Sequence, residues 1–173
     1  MTLSAEGSAE VVTVPGDERK ALVPILEQGF EGLYLWHSKR TLRGIEVVRG
    51  LRLDGEYVGL SMLKMVADGA GYVYYLAVAS THRRQGVGAR LLDDAIAGFD
   101  RRGVEVVYAA AEEENRASRT LLDSRGFRAV ERRETGYQEG GLGAWGLLTR
   151  MRVVPGEVLY GRRLRPRPVE SPR

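Results

Sequence analysis

The chain contains no cysteine, which removes disulfide frameworks, thiolate nucleophiles and structural zinc ribbons together. Its two histidines, His37 and His82, form no ligand spacing, so no metal site is expected. Long apolar runs are missing as well. No stretch approaches the roughly 18 residues of a membrane span, and positions 1–16 lack a basic segment followed by an apolar core, the pattern of a secretory signal. The expectation is a cytoplasmic protein with no membrane partner. Lysine is scarce: Lys20, Lys39 and Lys64 are the only three, arginine supplies the other basic residues, and the formal charge is +3. Most of the arginines stand singly among acids, as on a solvated surface. A nucleic-acid partner is therefore not expected.

What is present is 173 residues, 43% of them hydrophobic, enough for one substantial core and short for two. A single domain is expected over 9–160. Residues 1–8 are small and polar and should fray. The stretch 161–173 is rich in Arg and Pro, has little to bury, and reads as a flexible tail.

Apolar positions Leu22, Ile25 and Leu26 predict a helix over 17–28 stopped by Gly29, with Pro24 better suited to a first turn than to an interior. A second helix is expected over 33–42, carrying Tyr34, Trp36 and His37. Between 45 and 66 two β-rich runs flank Asp54-Gly55, a dipeptide that tolerates the positive φ angles of a hairpin turn. The run 72–78 is almost wholly apolar and reads as a central strand. Val87, Leu91, Leu92, Ala95, Ile96 and Phe99 then recur at helical spacing over 86–100. Another buried strand is expected over 104–110, then a helix stopped by Gly126, then a closing strand pair at 127–133 and 145–154. The order of elements indicates α+β rather than a doubly wound sheet.

The most informative segment is the junction from Leu76, Ala77 and Val78 through Arg83, Arg84, Gln85, Gly86, Val87, Gly88 and Ala89. A buried strand runs into a loop with two arginines, then into two glycines at the first turn of a helix. The opening N–H groups of a helix lack internal partners and sit at its positive end, so they bind phosphate without any side chain. Glycines allow close approach, and the arginines add charge. A P-loop would require Gly-Lys-Ser/Thr, which is absent. A dinucleotide turn would require a third glycine at position 91, where Leu91 stands. A glycine turn that only caps a helix is the plainer alternative.

Arg83-x-x-Gly86-x-Gly88, placed after an apolar strand and before an amphipathic helix, resembles the acetyl-CoA pyrophosphate motif of the GNAT acetyltransferase superfamily. Asn115-x-x-Ser118-x-x-Leu121, followed by Arg125-Gly126-Phe127, resembles the second block of that family, although Asn115 is also an ordinary N-cap and Gly126 an ordinary helix stop. The resemblance covers roughly 45–133. It implies a mixed, mostly antiparallel sheet of six to seven strands flanked by helices. It also implies that Leu76, Ala77 and Val78 meet the pantetheine arm through their backbone, that residues 83–89 wrap the pyrophosphate, that Asn115 lies by the thioester, and that Ser118 also contacts the cofactor. The implied reaction moves an acetyl group from acetyl-CoA directly to a primary amine, on a small molecule or a peptide. The alternative is a non-catalytic acyl-CoA-binding or regulatory module. Many members of the superfamily pair as homodimers, and the apolar stretch 145–154 serves either that or the core.

Such a reaction needs a neutral amine, a donor for the oxyanion and a proton for the departing thiolate. An amine of pKa near 10.4 is neutral in only about 0.04% of molecules at pH 7, so a base or water relay is useful. A backbone N–H of residues 76–78 can polarise the carbonyl. Many relatives place a tyrosine, taken as the acid, directly after the position of Leu121, whereas this chain has Leu122. Another group, a water, or no catalysis are the alternatives. Tyr72 and Glu112 are the candidate catalytic residues. Tyr72 doubles as a β-sheet packing residue, and Glu112, Glu113 and Glu114 double as acids favouring a helix N-terminus. The acceptor is expected against 30–41, where His37 is either a proton carrier or a packing residue, and against the loop 137–145.

Overall fold

The computed structural model describes residues 9–130 and 150–165. The first strand, β1 (Ala9–Thr13), is followed by a 3-10 turn (Glu18–Leu22), α1 (Val23–Gly29) and α2 (Gly32–Gly44). The single helix expected at 17–28 is thus broken in two, and Pro24 stands in the first turn of α1, where its missing N–H would have had no partner anyway. The hairpin forms as expected between β2 (Val47–Leu53) and β3 (Glu56–Ala67). Asp54 and Gly55 both take positive φ, 52° and 86°, as a two-residue turn matched to the strand twist requires. There follow β4 (Ala70–Val78), a 3-10 turn (Ser80–His82), α3 (Val87–Arg101), β5 (Val106–Glu112), α4 (Arg116–Ser124), β6 (Arg128–Ala129) and β7 (Glu157–Arg163).

The seven strands lie in the order β1-β2-β3-β4-β5-β7-β6. The described ladders β1/β2, β2/β3, β5/β7 and β6/β7 are antiparallel. The ladder between β4 and β5 is parallel, from Ala70 opposite Val106 to Val73 opposite Ala109. This is the mixed, mostly antiparallel sheet expected of an α+β chain.

Two expectations at the C-terminal end are corrected. Among the described residues of 145–154, Arg150 and Met151 are helical and Arg152 has φ +52°; the strand is β7, further on. Gly161, Arg162 and Arg163 belong to that strand and not to a flexible tail. The Arg162 guanidinium donates to the Arg125 carbonyl at 2.7 Å and the Leu164 amide to the Glu105 carbonyl at 2.8 Å, so the arginines here satisfy backbone carbonyls. The expected N-terminal fray (1–8), the first half of the second closing strand, the loop 137–145 and the tail beyond Arg165 lie outside the described residues.

The chain divides into two compact units, one of residues up to 63 with 75–95, the other of 64–74 with residues from 96 onward. In the first, Leu51, Val58, Val87 and Leu91 form a buried cluster flanked by Val11, Leu53, Leu76 and Val78. Arg49 and Asp94 hold β2 to α3 through paired bonds of 2.7 and 2.8 Å, and the carboxylate raises the already high pKa of the guanidinium. In the second unit, Val66, Ala70, Tyr72, Val106, Tyr108, Met151 and Leu159 are packed together.

Candidate active site

The strand-to-helix junction lies wholly in the first unit. At the end of β4 the Ala79 amide donates to the Val58 carbonyl at 2.9 Å. The amide and hydroxyl of Ser80 both donate to Gln28 Oε1, at 2.8 and 3.0 Å. The two loop arginines, indistinguishable in the sequence, then part company. Arg83 turns its guanidinium onto the carbonyls of Gln28 and Val78, so it anchors the loop to α1. Arg84 is exposed and takes φ +65°, and Gly86 takes φ +81°. Where right- and left-handed residues alternate, neighbouring N–H groups can converge on an anion. A Cβ at Gly86 would meet nothing within 4 Å, so that side of the loop is open. Gln85 closes the turn by donating to the Thr81 carbonyl at 2.9 Å.

Beyond the loop, the Arg90 amide donates to the Gly86 carbonyl at 3.0 Å, the first bond of α3. The preceding amides of Val87, Gly88 and Ala89 have no partner within the helix, and α3 is 15 residues long, so its positive end adds to the loop's attraction for an anion. Val87 is buried in the core cluster. Its side chain seats the helix on that cluster. The side chains of Leu76 and Val78 pack on the same cluster. Ala77 lies elsewhere, its Cβ 3.6 Å from where a Cβ on Gly29 would stand.

The C-terminal half of β4 also carries Tyr75. Its hydroxyl is 2.8 Å from His37 Nδ1, and Thr41 Oγ1 is 3.5 Å from the same nitrogen. The ring of Phe30 meets Tyr75 edge-on at 5.2 Å. His37 and Tyr75 are 38 residues apart in sequence, and only the packing of α2 on this strand joins them. The sequence offered each residue separately and had no signal for the pair.

Tyr72, Glu112, Asn115 and Ser118 lie in the second unit. Asn115 caps α4: its side-chain oxygen accepts the Ser118 amide at 3.0 Å, as an N-cap should. Glu112 ends β5 and is exposed, with Glu157 as its cross-strand neighbour. Tyr72 is 3% exposed and stacks edge-on against Tyr74 at 5.4 Å. Those surroundings are those of a packing residue. Leu122 is 6% exposed and so is a core side chain. Among the described residues no group of His, Asp and Glu could hold a metal ion.

The positive-φ loop between β4 and α3 thus lies in a mixed, mostly antiparallel seven-stranded sheet. The family model described as acetyltransferase (GNAT) family matches residues 19–127. The chain belongs to that family, and it is an N-acetyltransferase. Solved structures share the fold. The ribosomal-protein-S18-alanine N-acetyltransferase of Escherichia coli superposes with a TM-score of 0.70 at 17% identity, over 95% of this chain and 99% of that one. The PaiA N-acetyltransferase of Thermoplasma acidophilum, solved with coenzyme A, gives 0.69 at 12% identity, over 90% and 99%. A ribosomal-protein-alanine N-acetyltransferase of Brucella melitensis gives 0.60 at 21%, over 90% and 99%. No curated protein sequence matches this one significantly.

Proposed function

We propose that the enzyme transfers an acetyl group from acetyl-CoA directly to a primary amine, with residues 83–89 receiving the pyrophosphate. The observation that carries this reading is the loop of Arg84 and Gly86, at φ +65° and +81°, running into the opening amides of α3. The backbone of Leu76, Ala77 and Val78 is assigned to the pantetheine arm, and Asn115 and Ser118 to its thioester end. Within the loop, Arg84 is assigned the charge contact and Arg83 the task of holding the loop's shape. Glu112, exposed at the end of β5, is the carboxylate proposed to relieve the incoming ammonium of its proton. The acceptor is a small-molecule or peptide amine. Two of the similar structures are named for alanine acceptors on ribosomal proteins, which puts peptide N-termini first in a screen. A chain without cysteine that uses acyl-CoA fits the cytoplasm, and α2 (Gly32–Gly44) is short of a membrane span.

The test is calorimetric titration with acetyl-CoA of the wild type and of Gly88→Glu. Glutamate in the first turn of α3 suits the helix dipole, so the variant should melt at the wild-type temperature. It should bind acetyl-CoA at least a hundredfold more weakly, because a carboxylate then faces the phosphates. Equal affinity would move the cofactor away from this loop.

A further inference from the structure

We infer that Gln28 is the positioning residue of the pyrophosphate loop: from the end of α1 it holds that loop in the shape that receives the cofactor, without touching the cofactor itself. This rests on the acetyl-CoA reading above, and every residue it uses lies in the first unit.

The loop has a backbone that needs holding. Arg84 takes φ +65°, a region that a residue with a Cβ keeps only where its surroundings enforce it. Both of its sequence neighbours are tethered. Gln85 donates to the Thr81 carbonyl at 2.9 Å, within the loop, whereas Arg83 donates to the Gln28 carbonyl, 55 residues away in sequence. At the head of the same loop the amide and hydroxyl of Ser80 donate to Gln28 Oε1 at 2.8 and 3.0 Å. One residue thus accepts three bonds, two on its side chain and one on its main chain, from the two ends of the turn that precedes Arg84. A glutamine oxygen has two lone pairs, and Ser80 takes both. On an exposed glutamine with no such task they go to water.

The anchor is itself fixed. Ile25 and Leu26 of α1 are buried, and the Phe30 amide closes the helix on the Leu26 carbonyl at 2.9 Å. Gly29 comes so near β4 that a Cβ on it would stand 3.6 Å from Ala77 Cβ. The backbone of Gln28 therefore stays in place whether or not the loop is occupied. Arg83 in turn brings a cation to the C-terminal end of α1, where carbonyls are left over and the helix dipole is negative. A loop held before its ligand arrives loses less freedom on binding, and its affinity is higher for that reason.

The test needs no acceptor. Acetyl-CoA is titrated calorimetrically, and inorganic pyrophosphate by NMR at the amides of Gly86 and Gly88, into the wild type, Gln28→Met, Ser80→Ala and the double variant. Methionine matches glutamine in length and has no amide oxygen, and at an exposed position it should leave the melting temperature close to that of the wild type. Gln28→Met should weaken acetyl-CoA about tenfold and pyrophosphate by the same factor. Ser80→Ala removes one of the two side-chain bonds and should weaken each ligand about threefold. Added to Gln28→Met it should cost nothing further, because its partner is already gone. Unchanged acetyl-CoA affinity in Gln28→Met overturns the assignment, as does a loss for acetyl-CoA that pyrophosphate does not share, or effects of the two substitutions that simply multiply. Each of these leaves the acetyl-CoA reading standing. A wild type that binds no acetyl-CoA, or binds it while pyrophosphate leaves Gly86 and Gly88 undisturbed, overturns both. Should Gln28→Met fail to fold, full affinity in Ser80→Ala overturns the role of the contact.

Discussion

Single side chains in this enzyme often differ from their sequence neighbours in what they touch more than in what they are. Tyr72, Tyr74 and Tyr75 sit within four positions, yet the first is core, the second half-buried, and the third hydrogen-bonded to His37. Tyr74 illustrates the consequence for titration. Burial raises its pKa, Arg152 opposes the rise and Glu157 adds to it. A phenol whose folded pKa is raised contributes stability that is fully present below the unfolded value of about 10 and is lost as pH rises through the folded pKa. Thermal unfolding measured from pH 8 to 11 should therefore show a falling alkaline limb that is shallower in Tyr74→Phe. Such distinctions were not legible in the sequence, where the three phenols read alike. Arg83 and Arg84 read alike for the same reason: which carbonyl a guanidinium reaches depends on Gln28, more than fifty residues away.

At the level of elements, the strand-to-helix junction depends on how closely α3 approaches the sheet. Gly59 of β3 sets that distance: a Cβ there would lie 2.8 Å from Val87 Cγ1, 2.9 Å from Leu91 Cδ1 and 3.2 Å from the Ala77 carbonyl oxygen. Gly59→Ala forces the first turns of α3 outward, a cost of about 1–3 kcal/mol, and should lower both the melting temperature and the affinity for acetyl-CoA. An unchanged affinity would show that the loop holds its shape independently of the helix seat. The junction, the Asp54-Gly55 turn and the Asn115 cap were all legible beforehand, because each is dictated by residues within a few positions of one another. The last strand was not. Hydropathy favoured 145–154, whereas β7 contains Arg162 and Arg163. Arg163 is exposed there, and the half-buried Arg162 reaches the Arg125 carbonyl, a partner the local pattern does not reveal.

For the whole molecule, the division into two compact units cuts through β3, β4 and α3, so the chain passes between the units three times. Val87 and Leu91, from the second segment of the first unit, complete the cluster around Leu51 and Val58. A fragment ending at residue 63 leaves that cluster without its cover. It should show no cooperative thermal transition by circular dichroism, and a sharp one would mean that β1, β2 and β3 suffice for a core. The same interleaving reaches into synthesis. A ribosome delivers the chain from one end, and the first unit has no complete set of residues until position 95 has emerged from the exit tunnel. By then the short segment 64–74 of the other unit is already outside and waiting for β5, its parallel partner, to arrive. Nascent chains of this enzyme should thus expose half-made sheet over a longer span of translation than a protein of two consecutive domains would.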